Sequence, residues 1–162
     1  MPTAYLGLGS NLGNRRHNLD RAVEALGEKG KVKVKRLSSL YEAEPVGFVN
    51  QPLFLNAVCE VSTHLTPRQL LGFIKQTEKK IGRLPGPRNS PRVIDIDILF
   101  YEGEVVESSS LTIPHPRLTE RAFVLIPLAE IAPDMRHPKA GKTAVELLLD
   151  VEGKEGVKIW AG

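Results

Sequence analysis

From Val93 to Phe100 the chain reads Val93-Ile94-Asp95-Ile96-Asp97-Ile98-Leu99-Phe100, with β-branched residues dominant and strict alternation with two acids. Such a period of two fits a strand half buried on one face. Side chains two apart share a face, so Ile94, Ile96, Ile98 and Phe100 are expected to point one way. Asp95 and Asp97 then point the other way, roughly 6–7 Å apart along the strand. Folding has no need of two acids there. Carboxylates at that spacing can share hard cations such as Mg²⁺, which prefer oxygen ligands and usually accompany a substrate phosphate. Arg88 and Arg92, just upstream, are the right side chains for phosphate oxygens. The plain alternative is a solvated face with two surface acids.

The rest of the chain supplies the frame for this strand. Thr3–Gly9 reads as a first, central strand, followed by a turn-rich loop and a helix from about Arg16 to Leu26 that Gly27 ends. Val32–Tyr41 is expected as a second strand and Phe54–Ser62 as a third, with a proline- and glycine-bearing loop between them. Thr66-Pro67-Arg68 opens a second helix, with an N-cap and a proline at the first position, running to about Ile81. Gly82–Pro91 is long and rich in glycine, proline and arginine, the composition of a functional loop that can close over a ligand. The order is β-α-β-β-α-β, a ferredoxin-like α+β pattern: an antiparallel sheet with two helices on one face. The other face is expected to stay free for a site. A C-terminal extension adds Val105-Val106, a Pro114-His115-Pro116 loop, a short helix near Arg117–Arg121, an apolar run Ala122–Leu128 and a helix near Thr143–Leu149.

A length of 162 residues fits a single domain, 1–162, with a real core. The net charge of +3 suits an anionic small molecule as well as nucleic acid. Lys29 to Arg36 alternates like the exposed, edge-protecting face of a strand, and reads as that and not as a binding stripe. Cys59 stands alone in an apolar run, so no internal disulfide is available and buried packing is expected. No stretch approaches the ~18–20 apolar residues of a membrane span, and there is no basic leader, so a cytoplasmic protein is expected.

Four motifs then stand in order: Gly7-Leu8-Gly9-Ser10-Asn11-Leu12-Gly13; Phe54-Leu55-Asn56 after Pro45-Val46-Gly47-Phe48; Glu78 through Arg83, Arg88, Arg92, Asp95 and Asp97; and Pro114-His115-Pro116-Arg117 through Arg121 and Phe123. From about residue 4 to about residue 135 the chain resembles 6-hydroxymethyl-7,8-dihydropterin pyrophosphokinase, an enzyme of folate biosynthesis. That resemblance implies a Mg²⁺-dependent transfer of pyrophosphate from ATP to the hydroxymethyl group of the reduced pterin, releasing AMP. It implies two Mg²⁺ ions on Asp95 and Asp97, and a catalytic set of Arg83, Arg92, Asp95, Asp97 and His115. ATP would be held by Lys75, Glu78, Arg83, Arg88, Arg92, Ile98, His115 and Arg121. The pterin would lie between Phe54 and Phe123, its edge read by Asn56, with Ala43, Glu44, Val46 and Asp95 assisting. The partners implied are these two small molecules, with no nucleic acid or membrane, and a monomer.

Each residue also has a plainer account. Phe54 and Phe123 sit in apolar runs, as core residues do; His115 could be an ordinary loop histidine; Glu78, beside Lys75, Lys79 and Lys80, is by default a salt-bridging surface acid. Gly9-Ser10-Asn11-Leu12-Gly13 lacks the Lys-Ser/Thr ending of a P-loop and reads as a structural turn. The family often has Trp where this chain has Asn89, glycine where it has Ser90, and Gln where it has Lys75. The competing class is an RNA-recognition module, which needs exposed aromatics on its central strands, whereas Asp95 and Asp97 would repel phosphate without metal. A pterin-binding protein without catalysis is a second alternative, disfavoured by the intact acid pair.

Overall fold

The computed structural model describes residues 1–44, 51–83, 86 and 91–162. Its elements are Thr3–Ser10 (β1), Arg15–Glu28 (α1), Val32–Leu37 (β2), Tyr41–Ala43 (β3), Phe54–Thr63 (β4), Pro67–Ile81 (α2) and Asp95–Tyr101 (β5). There follow Val106–Glu107 (β6), Thr112–Ile113 (β7), Ala122–Ile131 (α3), Ala144–Asp150 (α4) and Val157–Ile159 (β8). Among the described residues every strand pairing is antiparallel, and the larger sheet runs β5-β1-β4-β3-β8 with β2 also on β4. The strand β4 is long enough to pair β3 along Phe54–Asn56 and β2 along Cys59–Thr63, while β1 runs along its opposite edge.

The expected single strand Val32–Tyr41 is therefore two. Leu37 lies opposite Cys59 and Tyr41 opposite Asn56, one residue more on the outer strand than on β4. Ser38 absorbs the kink: its N–H donates to the Val58 carbonyl, and its hydroxyl accepts from the Val58 N–H at 2.9 Å, replacing a ladder bond. α1 also overruns its expected stop. Asn14 caps it by accepting from the His17 N–H, and the helix continues through Gly27 to Glu28; the turn is made by Gly30 at φ +72°. α2 begins at a Thr66–Gln69 capping box and ends at Gly82, at φ +117°.

Ala4, Leu6 and Leu8 of β1 and Ile94, Ile96 and Ile98 pack on Leu19, Ala22 and Leu26 of α1 and Leu70, Ile74 and Ile81 of α2. The opposite face is only partly free. Val58 and Leu99 pack there against Leu118, five α3 residues including Leu125 and Leu128, and Ala144 and Leu147 of α4. The run Ala122–Leu128 is apolar all round because α3 lies between the sheet and α4. Phe100 departs from the strict alternation. Ile98 faces Leu6 and Phe100 faces Tyr5, so Leu99 is an extra residue in a β-bulge. Both bulged side chains then take the α3 side, Leu99 in its core and Phe100 against Tyr5 at 5.9 Å, and Tyr101 returns to the other core. The C-terminal strand β8, absent from the sequence reading, pairs with β3.

Candidate functional site

The site begins with two missing side chains. On the α3 face of the sheet, Asp97 lies opposite Gly7 and Asp95 opposite Gly9, while Gly9 also faces Asn56 of β4. Strands are spaced about 4.8 Å apart, so the glycines open a trough about two strand spacings wide between the acids and Asn56. Asn56 leans into it: a Cβ built on Gly9 would stand 2.9 Å from the Asn56 Oδ1 and 3.5 Å from the Phe54 ring. The Gly7-Leu8-Gly9 alternation, within the expected first strand, is the signal for this floor.

Two cavities flank the acid pair. One, of about 310 Å³, is lined by Gly7, Gly9, Glu44, Phe54, Asn56, Arg92, Arg117, Arg121 and Phe123 among others. The second, of about 330 Å³, is lined by Leu71, Ile74, Lys75, Glu78, Ile98 and Ser109–Thr112. They share Arg83, Asp95, Asp97, His115 and Pro116. Expected pterin residues thus gather in the first lobe. Lys75, Glu78 and Ile98, expected on ATP, line the second, whereas Arg92 and Arg121 line the first. Ala43 is buried and reaches a neighbouring cleft; Val46 and Arg88 lie outside the described residues, as do Asn89 and Ser90. The segment Ser109–Thr112 escaped the sequence reading because its serines and threonine resemble any turn.

Burial pushes the Asp95 carboxyl up to about 6, helped by the charge of Asp97 and opposed by Arg83, Arg92 and Arg121. Burial likewise raises Asp97, against the pull of Arg121. A pair of desolvated carboxylates, offering oxygen donors only, fits a hard divalent cation. Glu78 is no surface acid. It is 3% exposed, accepts from the Ile96 N–H at 2.8 Å and from Arg83 Nη1 at 3.0 Å, and is raised chiefly by burial. Arg83 reaches from Glu78 toward Asp95, at 3.6 Å, with its other nitrogen.

His115 Nδ1 accepts from the Arg117 N–H at 3.1 Å, leaving Nε2 to carry the ring proton. Burial and then the Arg121 charge lower this imidazole to about 4, so it stays neutral near pH 7. Arg121 sits 5.4 Å from the Phe123 ring centre. The Asn56 side-chain nitrogen is buried without a hydrogen-bond partner among the described residues. Such an atom costs stability unless a ligand supplies the acceptor. Asn11, also missed as a working residue, accepts from the Arg92 N–H at 2.7 Å and donates to Gln51 Oε1 at 2.6 Å and the Pro52 carbonyl at 3.1 Å. It thereby fixes Arg92 at the cavity edge.

Residues 5–133 match the family model described as 7,8-dihydro-6-hydroxymethylpterin-pyrophosphokinase (HPPK). The chain is 46% identical over 160 residues to the 2-amino-4-hydroxy-6-hydroxymethyldihydropteridine pyrophosphokinase of Methylorubrum extorquens, covering 98% of this chain and 100% of that protein. It is 42% identical over 157 residues to the Bacillus subtilis protein of the same name, covering 97% and 89%. Identity to the folic acid synthesis protein fol1 of Pneumocystis carinii is 49% over 137 residues, 85% of this chain but 18% of that larger protein. A Plasmodium falciparum HPPK-DHPS triple mutant, solved with pteroate, shares the fold at TM-score 0.74 and 17% identity, over 98% of this chain and 46% of that one. The chain belongs to the 7,8-dihydro-6-hydroxymethylpterin-pyrophosphokinase family.

Proposed function

We infer that this chain transfers the pyrophosphoryl group of ATP to the hydroxymethyl group of 6-hydroxymethyl-7,8-dihydropterin, in folate biosynthesis. The carrying observation is the pair of lobes that meet at Asp95 and Asp97. One lobe suits a flat heteroaromatic ring: Phe54 and Phe123 offer stacking surfaces, and the Asn56 nitrogen, without a partner among the described residues, suits a ring acceptor. The other joins the apolar Leu71 and Ile74 to Lys75, as a nucleotide requires. The reacting groups therefore meet at the junction.

The pterin hydroxyl oxygen attacks the β-phosphorus, the bond from that phosphorus to the α,β-bridging oxygen breaks, AMP leaves and the hydroxyl proton passes to water. Asp95 and Asp97 would hold Mg²⁺, two ions in this reading, which neutralises phosphate charge when bound. Arg83, Arg92 and Arg121 add positive charge around the phosphates, Glu78 orients Arg83, and the His115 Nε2–H donates to a phosphate oxygen. Glu44 lines the pterin lobe, and the backbone of Ala43 would assist from the neighbouring cleft; the roles expected of Val46 and Arg88 fall outside the described residues. The order β5-β1-β4-β2 with α1 and α2 on one face supports a ferredoxin-like core carrying a C-terminal extension. We read residues 1–162 as one catalytic domain, a cytoplasmic monomer, since both lobes are built from one chain. No described helix is long and apolar enough to cross a membrane.

AMP release from Mg-ATP tests the function. Release that depends on the hydroxymethyl-dihydropterin is the expected result; release indifferent to the pterin, or none with both substrates, overturns it.

A further inference from the structure

We propose that Glu130, outside both lobes, is a positioning residue that sets the gap between the two walls of the pterin lobe through Tyr41. One wall is the β3–β4 pair. Asn56 lies opposite Tyr41, and Phe54 opposite Ala43. The other wall is α3, which carries Phe123 near its start and Glu130 seven residues later, on the same helical face. The sheet and α3 are thus the jaws, and ring spacing depends on how they are pinned.

Glu130 does the pinning. Its Oε1 accepts from the Tyr41 hydroxyl at 2.6 Å, its Oε2 from the Ser39 hydroxyl at 2.9 Å, and both oxygens face the Ser39 N–H at 3.1 Å. An exposed glutamate held by three donors is unusual, because a solvated carboxylate needs no protein partners. These charge-assisted bonds land on Ser39, in the kink between β2 and β3, and on Tyr41, the first residue of β3. Along the row that crosses the sheet through Asp95, Gly9 and Asn56, Tyr41 is the next residue. A shift of Tyr41 is therefore transmitted to Asn56 and Phe54 by direct strand pairing. The nucleotide lobe, built from α2, β5 and the Ser109–Thr112 segment, shares none of these contacts.

This inference rests on the pterin reading of the first lobe. The experiment measures KM and Kd for the hydroxymethyl-dihydropterin and Kd for a non-hydrolysable Mg-ATP analogue. The proteins are wild type, Glu130→Ala, Glu130→Gln, Tyr41→Phe and Thr143→Ala, the last removing the cap of α4 as a stability control. Glu130→Ala is expected to weaken pterin binding about five- to tenfold, as sub-ångström misplacement of binding groups does, with nucleotide Kd within about twofold of wild type. Glu130→Gln, which keeps acceptor oxygen, should recover part of the loss, and Tyr41→Phe should reproduce part of it in a protein lacking only one hydroxyl. Tyr41→Phe, which removes so little, keeps the test sound if Glu130→Ala fails to fold. Equal losses for both ligands, or variants that bind pterin no worse than Thr143→Ala, overturn the positioning role. A wild type that binds no pterin overturns the reading beneath it as well.

Discussion

The two faces of β5 divide the molecule's labour. Ile94, Ile96 and Ile98 enter a core between the sheet and helices α1 and α2, each at most 5% exposed. Asp95 and Asp97, one residue away, enter a cleft where burial holds their carboxyls above the ordinary range and Arg83 is a cation at 3.6 Å from the nearer one. One face lowers the free energy of the fold and the other raises it. The contrast teaches that a single alternating strand can separate stability from chemistry, residue by residue, and that a substitution should damage one and spare the other.

The sharpest way to break that contrast is on the acid face. Asp95→Asn and Asp97→Asn should each lower turnover by about 10²–10³-fold or more, with far-ultraviolet dichroism unchanged, since the residues contribute charge to the reacting phosphates and nothing to the core. Chelation of Mg²⁺ should do the same reversibly. On the opposite face, Ile94→Ala, at a fully buried side chain that lines neither lobe, should cost about 2–5 kcal/mol in denaturant unfolding while leaving kcat per folded molecule near wild type. Losses of stability in the aspartate variants, or of turnover in folded Ile94→Ala, would erase the division.

The pterin wall sharpens the comparison from the side of β4 and α3. Phe54→Ala or Phe123→Ala should weaken pterin binding by roughly 1–3 kcal/mol and leave the ATP analogue much less affected, as titration calorimetry can read. Gly9→Ala places a methyl 2.9 Å from the Asn56 oxygen, so Asn56 must tilt away and pterin affinity should fall about tenfold with little loss of melting temperature. An unchanged affinity would mean that Asn56 does not read the ring.

His115 gives the smallest effect. Its folded pKa, near 4, lies below the ordinary histidine value, so between about pH 6.5 and 4 the unfolded chain binds more protons and stability falls as pH falls. His115→Gln lacks that proton, and its melting temperature should drop about 2–4 °C less than wild type between pH 7 and 5, allowing for the partial exposure of the ring. Identical slopes would show that the imidazole is not held neutral by its surroundings.

Most of the frame was legible because local chemistry agreed with it: the Thr66-Pro67 start of α2 and the Ile-Asp alternation announce themselves. What escaped depended on partners distant in sequence. Phe100 changes face because β1 and β5 slip by one residue at Leu99, which no pattern within β5 encodes. Val32–Tyr41 breaks because β4 has one residue fewer opposite it. The face expected to be free for a site does carry the candidate one, but is free only in part, because an apolar run with Pro127 is a helix that packs between the sheet and α4. In the site, the acids and arginines stood out as charges where folding needs none. Glu78 is placed in the site by resemblance alone; its own neighbours suggest a surface acid, because the Ile96 N–H that it accepts from belongs to another element.

The central claim is that the acid face of β5 is held against the fold's own interest, and melting of Asp97→Asn beside wild type tests it most directly. In chelator at neutral pH, the account predicts that Asp97→Asn melts at the same temperature as wild type or higher, because a charge that burial disfavours is gone. Adding Mg²⁺ with the ATP analogue should raise the wild-type melting temperature well above the variant's. A variant that melts lower without metal, or that gains as much from Mg²⁺ and nucleotide as wild type, would contradict it.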